Sequence, residues 1–210
     1  MKQVIAINGL KRSGKDYSAN ILKQQLEAKG LSVELMAFAE PIKQIVSTMF
    51  NISLEQLDNY KNNPNENFIR IFGKQSKKSS RVSLQKITDF RDIIQRFGNG
   101  AMKQVFGKNV WADLLAYNIS KSHSDVVIVT DMRFPEEAQS LEDATLNENL
   151  THFNGRGIIY VSIIGPEPGV KDSHPSEQKL DIKFDYVINN VVQNKGLNEQ
   201  LELISEELNG

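Results

Sequence analysis

The chain has 210 residues, 25 basic and 26 acidic side chains, a formal net charge of −1 and no cysteine. The missing cysteine excludes a disulfide scaffold, a thiolate nucleophile and every cysteine-ligated zinc or iron–sulfur site. The balanced charge argues against a protein that coats nucleic acid. With 40% hydrophobic and 24% charged residues the composition is globular, and a chain this long buries roughly 70% of its unfolded surface. The apolar run Val4–Ile7 stops at Asn8, too short for a secretory signal, and no stretch approaches the ~18 apolar residues of a membrane span. The expectation is a soluble, cytoplasmic protein with no membrane partner.

Five short segments rich in Val and Ile read as buried strands: Gln3–Asn8, Ser32–Phe38, Val126–Thr130, Ile158–Ile164 and Asp185–Asn189. None alternates strictly, as strands covered on both faces need not. Helical periodicity follows the first strand over Ser13–Lys29, with Gly30 as its stop, and closes the chain over Leu197–Leu208. Strands alternating with helices predict a parallel sheet covered on both sides. Residues 39–125 are too many for a simple crossover. Pro41–Phe50, Leu84–Phe97 and Val110–Ser120 read as helices there, whereas Asn59–Asn67 and Gly73–Arg81 have loop compositions. The expected organisation is one domain over residues 1–210 with a helical insertion at 39–124. Asp143–Gly157 and Gly165–Leu180 read as irregular.

Gly9-Leu10-Lys11-Arg12-Ser13-Gly14-Lys15-Asp16 lies between the first strand and the first helix. This is the phosphate-loop pattern in spacing and context. Its glycines let several backbone N–H groups converge, the helix N-terminus adds its positive end, and Lys15 adds a full charge for the outer phosphates. Asp16 stands where Ser or Thr normally gives magnesium a hydroxyl ligand, and an aspartate can hold Mg²⁺ directly or through water. Asp131, at the end of the third strand, is a second place to hold the metal or its water.

Transfer to a phosphate acceptor needs no general base, because the attacking oxygen is already ionised. It needs cationic clamps that bring two anions together. Lys43, Arg70, Arg91, Arg96 and Arg133 are candidates. On the helix Leu84–Phe97, Arg91 and Gln95 share one flank and Arg96 falls on the other. Trp111, on an apolar helix face, is either core or a platform for a base.

These residues resemble those of bacteriophage deoxynucleoside monophosphate kinases. The loop Gly9–Asp16 matches, including its terminal Asp. So do Glu40-Pro41-Ile42-Lys43, Arg91-Asp92-Ile93-Ile94-Gln95-Arg96-Phe97-Gly98, Trp111, Asp131-Met132-Arg133 with Glu137, His174 with Glu177, and Val187-Ile188-Asn189-Asn190. The order is kept from Gly9 to Asn190. The loop is also similar to that of animal-type phosphomevalonate kinase, while Arg91-x-x-x-Gln95-x-x-Gly98 leans toward the phage enzymes.

The resemblance implies a P-loop NTPase fold, α/β, with ATP on the loop, the 39–124 insertion holding the acceptor nucleotide and 165–180 as a lid. It implies that Lys15 and Arg12 act on the transferring phosphoryl group, that Gly9, Leu10, Lys11, Ser13 and Gly14 cradle phosphates, and that Asp16 and Asp131 manage Mg²⁺. Lys43, Arg91, Gln95 and Arg133 would bind the acceptor, with Arg133 also catalytic, and Asn189 and Asn190 would lie at the adenine. Lids of such kinases usually carry arginines, whereas 165–180 has only Lys171 and Lys179, which leaves that work to them or to Arg133 and Arg156. Glu137 reads equally well as a helix cap, and His174 as a surface residue.

The implied reaction is ATP + dNMP ⇌ ADP + dNDP, in deoxynucleotide biosynthesis of a phage in its host's cytoplasm. The partner would be a small deoxynucleoside monophosphate, with no stable nucleic acid partner and a homodimer left open. Three alternatives stand beside it: a kinase for phosphomevalonate or dephospho-coenzyme A, with Asp131 as base for the latter; a non-catalytic nucleotide switch; and nucleic-acid binding through Lys74–Arg81.

Overall fold

The computed structural model describes residues 2–62, 90–147, 157–166, 180–192 and 196–208. The chain divides into two compact units, Met1–Phe38 with Trp111–Gly210, and Ala39–Val110.

The first unit holds a sheet of five parallel strands: β1 (Gln3–Asn8), β2 (Val33–Met36), β3 (Val126–Met132), β4 (Ile158–Ile164) and β5 (Tyr186–Asn189). Their order is β2-β3-β1-β4-β5. β1 is central because Val4, Ile5, Ala6 and Ile7 are apolar on both faces, and all four are buried. It pairs Ile5 with Ile128 of β3 and with Ile159 of β4. The register against β3 shifts between Ala6 and Asn8. Asn8 is tied there by its side-chain amide, which donates to the Met132 carbonyl at 2.9 Å.

Alternate side chains of the strands feed two cores. On one face Ile5, Ile7, Ile128, Val161 and Ile163 pack with Ala19, Leu22 and Leu26 of α1 (Lys15–Ala28), and with Leu197, Leu201 and Ile204 of the C-terminal helix, Leu197–Glu207. On the other, Val4, Ala6, Val127 and Val129 meet Ala112, Leu115 and Ile119 of the helix Val110–Lys121, and Ala138 and Leu141 of the helix Pro135–Asn147. Each fully buried Leu or Ile contributes about 1.5–3 kcal/mol. The α/β parallel sheet with both faces covered is thus as the strand pattern predicts. β3 runs two residues further than expected, so Asp131 lies within the strand and not after it.

The second unit contains α2 (Glu40–Phe50), α3 (Leu54–Asn62), α4 (Phe90–Gln95), a π-helical segment Arg96–Met102 and α5 (Lys103–Phe106). The helices Val110–Lys121, Pro135–Asn147 and Leu197–Glu207 are then α6, α7 and α8. Ile42, Val46, Leu57 and Phe90 are buried. The Phe90 ring meets Phe50 edge-on at 5.2 Å and stacks with Tyr60 at 5.4 Å.

Three local expectations are revised. α3 runs into a stretch read as loop. Its polar composition hides a capping box, in which Gln56 N–H donates to Ser53 Oγ (3.0 Å) and Ser53 N–H to Gln56 Oε1 (2.8 Å). The helix expected to end at Phe97 continues as a π-helix past Gly98, whose missing side chain makes room for Ile42 Cδ1. Residues 135–147, partly read as irregular, form a helix capped by Glu137, whose carboxylate accepts from the N–H groups of Arg133 (2.6 Å) and Phe134 (3.0 Å). The second unit spans Ala39–Val110, and α6, which belongs to the first, buries its apolar face on the sheet. The middle of the expected lid, 167–179, lies outside the described residues, and with it Lys171, His174, Glu177 and Lys179. Arg70, Lys74–Arg81 and Arg156 lie outside them too. Among the described residues no helix is long and apolar enough to cross a membrane.

Candidate phosphate site

The turn from β1 to α1 is built by backbone conformations that few residues adopt. Arg12 has φ 66° and Gly14 φ 89°, both in the left-handed region, which costs a non-glycine residue energy. The Ser13 N–H donates to the Leu10 carbonyl at 3.1 Å and closes the loop. Gly14 caps α1, and its carbonyl accepts from the Ser18 N–H (2.8 Å) and Ser18 Oγ (3.0 Å). The left-handed Arg12, two residues before the left-handed Gly14, is strain held by its surroundings, and such strain gathers at functional sites.

Those surroundings come from distant parts of the chain. The Asn190 side-chain amide donates to the Ser13 carbonyl at 2.9 Å, and the Asn190 N–H donates to the Ile164 carbonyl at 2.7 Å. A side chain at Gly14 would strike the Asn190 amide, one at Gly9 the Ser13 hydroxyl, and one at Gly165 the Ser13 backbone. Three glycines therefore leave just enough space for the loop to lie between the ends of β1, β4 and β5.

Among the described residues Ser13 Oγ is buried without a hydrogen-bond partner, a costly state for a hydroxyl unless a ligand completes it. Lys15, in the first turn of α1, is 8% exposed, and its ammonium is 3.8 Å from the largely exposed Asp16 carboxylate. A hydroxyl awaiting a partner, a glycine cradle, an ammonium and a helix N-terminus together fit a phosphate chain. Leu10, Lys11 and Arg12 are exposed along the same loop.

Asp131 is half-buried at the end of β3, and its Oδ1 accepts from the Phe38 N–H at 2.7 Å, joining the end of β2 to β3. Magnesium beside phosphates takes one or two carboxylates with water and phosphate oxygens. Asp16 and Asp131 match that donor set, and no cluster of three or more His, Cys, Asp or Glu occurs among the described residues. Arg133 follows β3, its backbone held by Glu137. Asn189 is exposed. Its Oδ1 accepts from the Val191 N–H (3.0 Å), and its backbone is bracketed by Gln200 of α8. Trp111 is 6% exposed, buried as a core residue is.

The acceptor candidates Lys43, Arg91 and Gln95 all lie in the second unit and are half-buried. Arg96 is instead drawn outward, its Nε donating to Asp92 at 2.9 Å. Gly165 and Ser18 also shape the loop, and neither belongs to a motif in the sequence. Gly165 directly follows an apolar strand in a β–loop context, a position where close backbone approach is common, and that was the available signal.

A parallel sheet of this order, with a glycine-rich loop and lysine opening the helix after the central strand, is a P-loop α/β fold. No protein-family model matches the chain. The chain is similar to the deoxynucleoside-5′-monophosphate kinase of Escherichia phage T5, with 27% identity over 96 residues. That match covers 45% of this chain and 36% of the phage protein, so it spans about a third of the relative's length. Among solved structures, an APS kinase from Mycobacterium tuberculosis aligns over 100% of this chain and 98% of its own, with a TM-score of 0.46 and 13% identity.

Proposed function

We propose that the protein is a deoxynucleoside monophosphate kinase, which moves the γ-phosphoryl group of ATP onto the phosphate of a dNMP. The observation that carries this reading is the strained loop from Gly9 to Asp16, with an unsatisfied Ser13 hydroxyl and Lys15 at the helix start. The partial similarity to the T5 enzyme supports the choice of acceptor.

In this reading the loop N–H groups, Ser13 and Lys15 hold the ATP phosphates, and Arg12 reaches the same group from the loop's rim. Asp16 and Asp131 would hold magnesium, which would supply charge neutralisation for the phosphates. Lys43, Arg91, Gln95 and Arg133 hold the acceptor phosphate so that one of its oxygens lies in line with the γ-phosphorus. That oxygen forms the new P–O bond as the bond to the β-phosphate bridging oxygen breaks, and ADP leaves with the electron pair. No proton need be removed, so the residues serve by positioning and by cancelling charge. Asn190 positions the loop, and Asn189 borders the base. The acceptor-binding role of the second unit and the lid role of 165–180 belong to this proposal.

The test is ADP release from Mg·ATP with each of the four dNMPs, the NMPs, phosphomevalonate and dephospho-coenzyme A. Turnover that requires a dNMP is the expected result. Turnover with phosphomevalonate or dephospho-coenzyme A alone would keep the loop and replace the acceptor. Nucleotide binding with no acceptor-dependent turnover would make the protein a switch.

A further inference from the structure

Beside the acceptor candidates Lys43 and Arg91, the second unit carries Lys61, to which the proposed chemistry gives no role. Lys43 on α2 and Lys61 on α3 both converge on Asp58. Their ammonium groups lie 3.4 and 3.3 Å from the same oxygen, Oδ1. Arg91 on α4 acts electrostatically on Lys61, and among the described residues it makes no ion pair of its own. Two ammonium groups therefore share one carboxylate, and a third cation acts on one of them.

Packing fixes this arrangement. Tyr60 and Phe90 stack, and Lys61 and Arg91 are the residues that follow them on their helices. Lys43 follows buried Ile42. The lysine side chains are only 23% and 24% exposed. Burial holds Lys61 below the ordinary lysine range, and Lys43 and then Arg91 push it the same way against the pull of Asp58. Half-buried like charges around a single counter-ion are costly, and a dianion placed among them removes that cost.

We infer that Lys61, with Lys43 and Arg91, forms a seat for a phosphate monoester dianion, and that Asp58 is a built-in competitor which holds the two ammonium groups until the phosphate arrives. The inference rests on the kinase reading for the identity of that monoester, the acceptor nucleotide. Lys61 thereby joins the acceptor-binding residues from a stretch that looks like polar loop.

Removing either partner of a purely structural ion pair has the same sign. Here the signs oppose. In the full chain, Lys61→Gln should raise KM for the dNMP roughly tenfold with KM for ATP unchanged, Lys61→Arg should recover most of the loss, and Asp58→Asn should lower that KM. Thermal melts with millimolar orthophosphate give a readout that needs no turnover. Phosphate should raise the Tm of the wild type and of Asp58→Asn by more than that of Lys61→Gln, whose remaining shift is the share of the Gly9–Asp16 loop. Shifts of acceptor KM in the same direction for Lys61→Gln and Asp58→Asn, or an equal phosphate effect on the Tm of wild type and Lys61→Gln, would overturn the seat. A wild type that turns over no dNMP, yet is stabilised by phosphate more than Lys61→Gln is, would overturn the kinase reading and leave the seat intact.

Discussion

The side chain of Asn190 holds the backbone of Ser13, donating to its carbonyl at 2.9 Å across 177 residues of sequence. Asn190 is 3% exposed, so this hydrogen bond has no competition from bulk water. It makes the geometry of the phosphate loop depend on the last strand of the sheet. Asn190→Ala should cost about 1–2 kcal/mol of stability by leaving the Ser13 carbonyl short of a partner. It should also raise KM for ATP more than KM for the acceptor. Urea melts and steady-state kinetics with each substrate varied check both parts, and an equal effect on the two KM values would count against the loop-positioning role.

Gly165 supports the same loop from β4. A methyl group there would lie inside the contact distance of Ser13 Cα, and a backbone atom cannot swing aside as a side-chain end does. Gly165→Ala should destabilise by about 1–3 kcal/mol through overpacking and weaken ATP binding together with it. Calorimetric titration with a nonhydrolysable ATP analogue is the direct measurement. Unchanged affinity would mean that the loop tolerates displacement.

Lys15→Ala removes the buried ammonium without opening the hydrophobic core. The expected loss in kcat is about 10²–10³-fold or more, because charge on the transferring group goes uncompensated. Far-UV circular dichroism and the melting temperature should stay close to the wild type. Retention of normal transfer would remove the loop from the chemistry.

Acid stability has a contribution far from the site. Ser32 donates to Asp125 Oδ2 from its hydroxyl (2.6 Å) and its N–H (2.8 Å), and these bonds hold the carboxyl below its ordinary range. The unfolded chain therefore takes up this proton more readily than the folded one. The contribution is complete above the ordinary carboxyl pKa of about 4 and fades as pH falls through the lower folded value. Asp125→Asn should be less stable at neutral pH, with a shallower loss of stability on acidification. Parallel stability–pH curves for the two proteins would refute the assignment.

Much of this architecture was legible because its signals are local. The run Val4–Ile7 and the loop Gly9–Asp16 sit within a dozen residues, and their strand–turn–helix meaning needs no tertiary information. The capping pairs Ser53–Gln56 and Phe134–Glu137 were equally local, yet polar composition outweighed them. Other features could not be read in advance. That Asn190 grips Ser13, and that Gly165 must be small because Ser13 passes over it, are facts of strand order. Lys61 looked like any solvated lysine until α3 brought it onto the Asp58 that also holds Lys43. The flank shared by Arg91 and Gln95 followed from helical spacing, whereas the capture of Arg96 by Asp92 required side-chain positions.

The pairing order of the sheet also bears on how the protein is made. Among the described residues β1 hydrogen-bonds only to β3 and β4, and β2 only to β3. Every one of those partners begins at Val126 or later. A ribosome that has delivered the phosphate-loop segment must therefore complete the whole helical unit before either N-terminal strand has a neighbour. During that interval two apolar strands are open to mispairing, with their closure deferred by a long loop. Ala39–Val110 supplies its own apolar contacts around Phe90 and can gather first. Translation speed through residues 39–125 thus sets how long the unpaired strands stay exposed, and slowing the ribosome there should lower the soluble yield without altering the folded product.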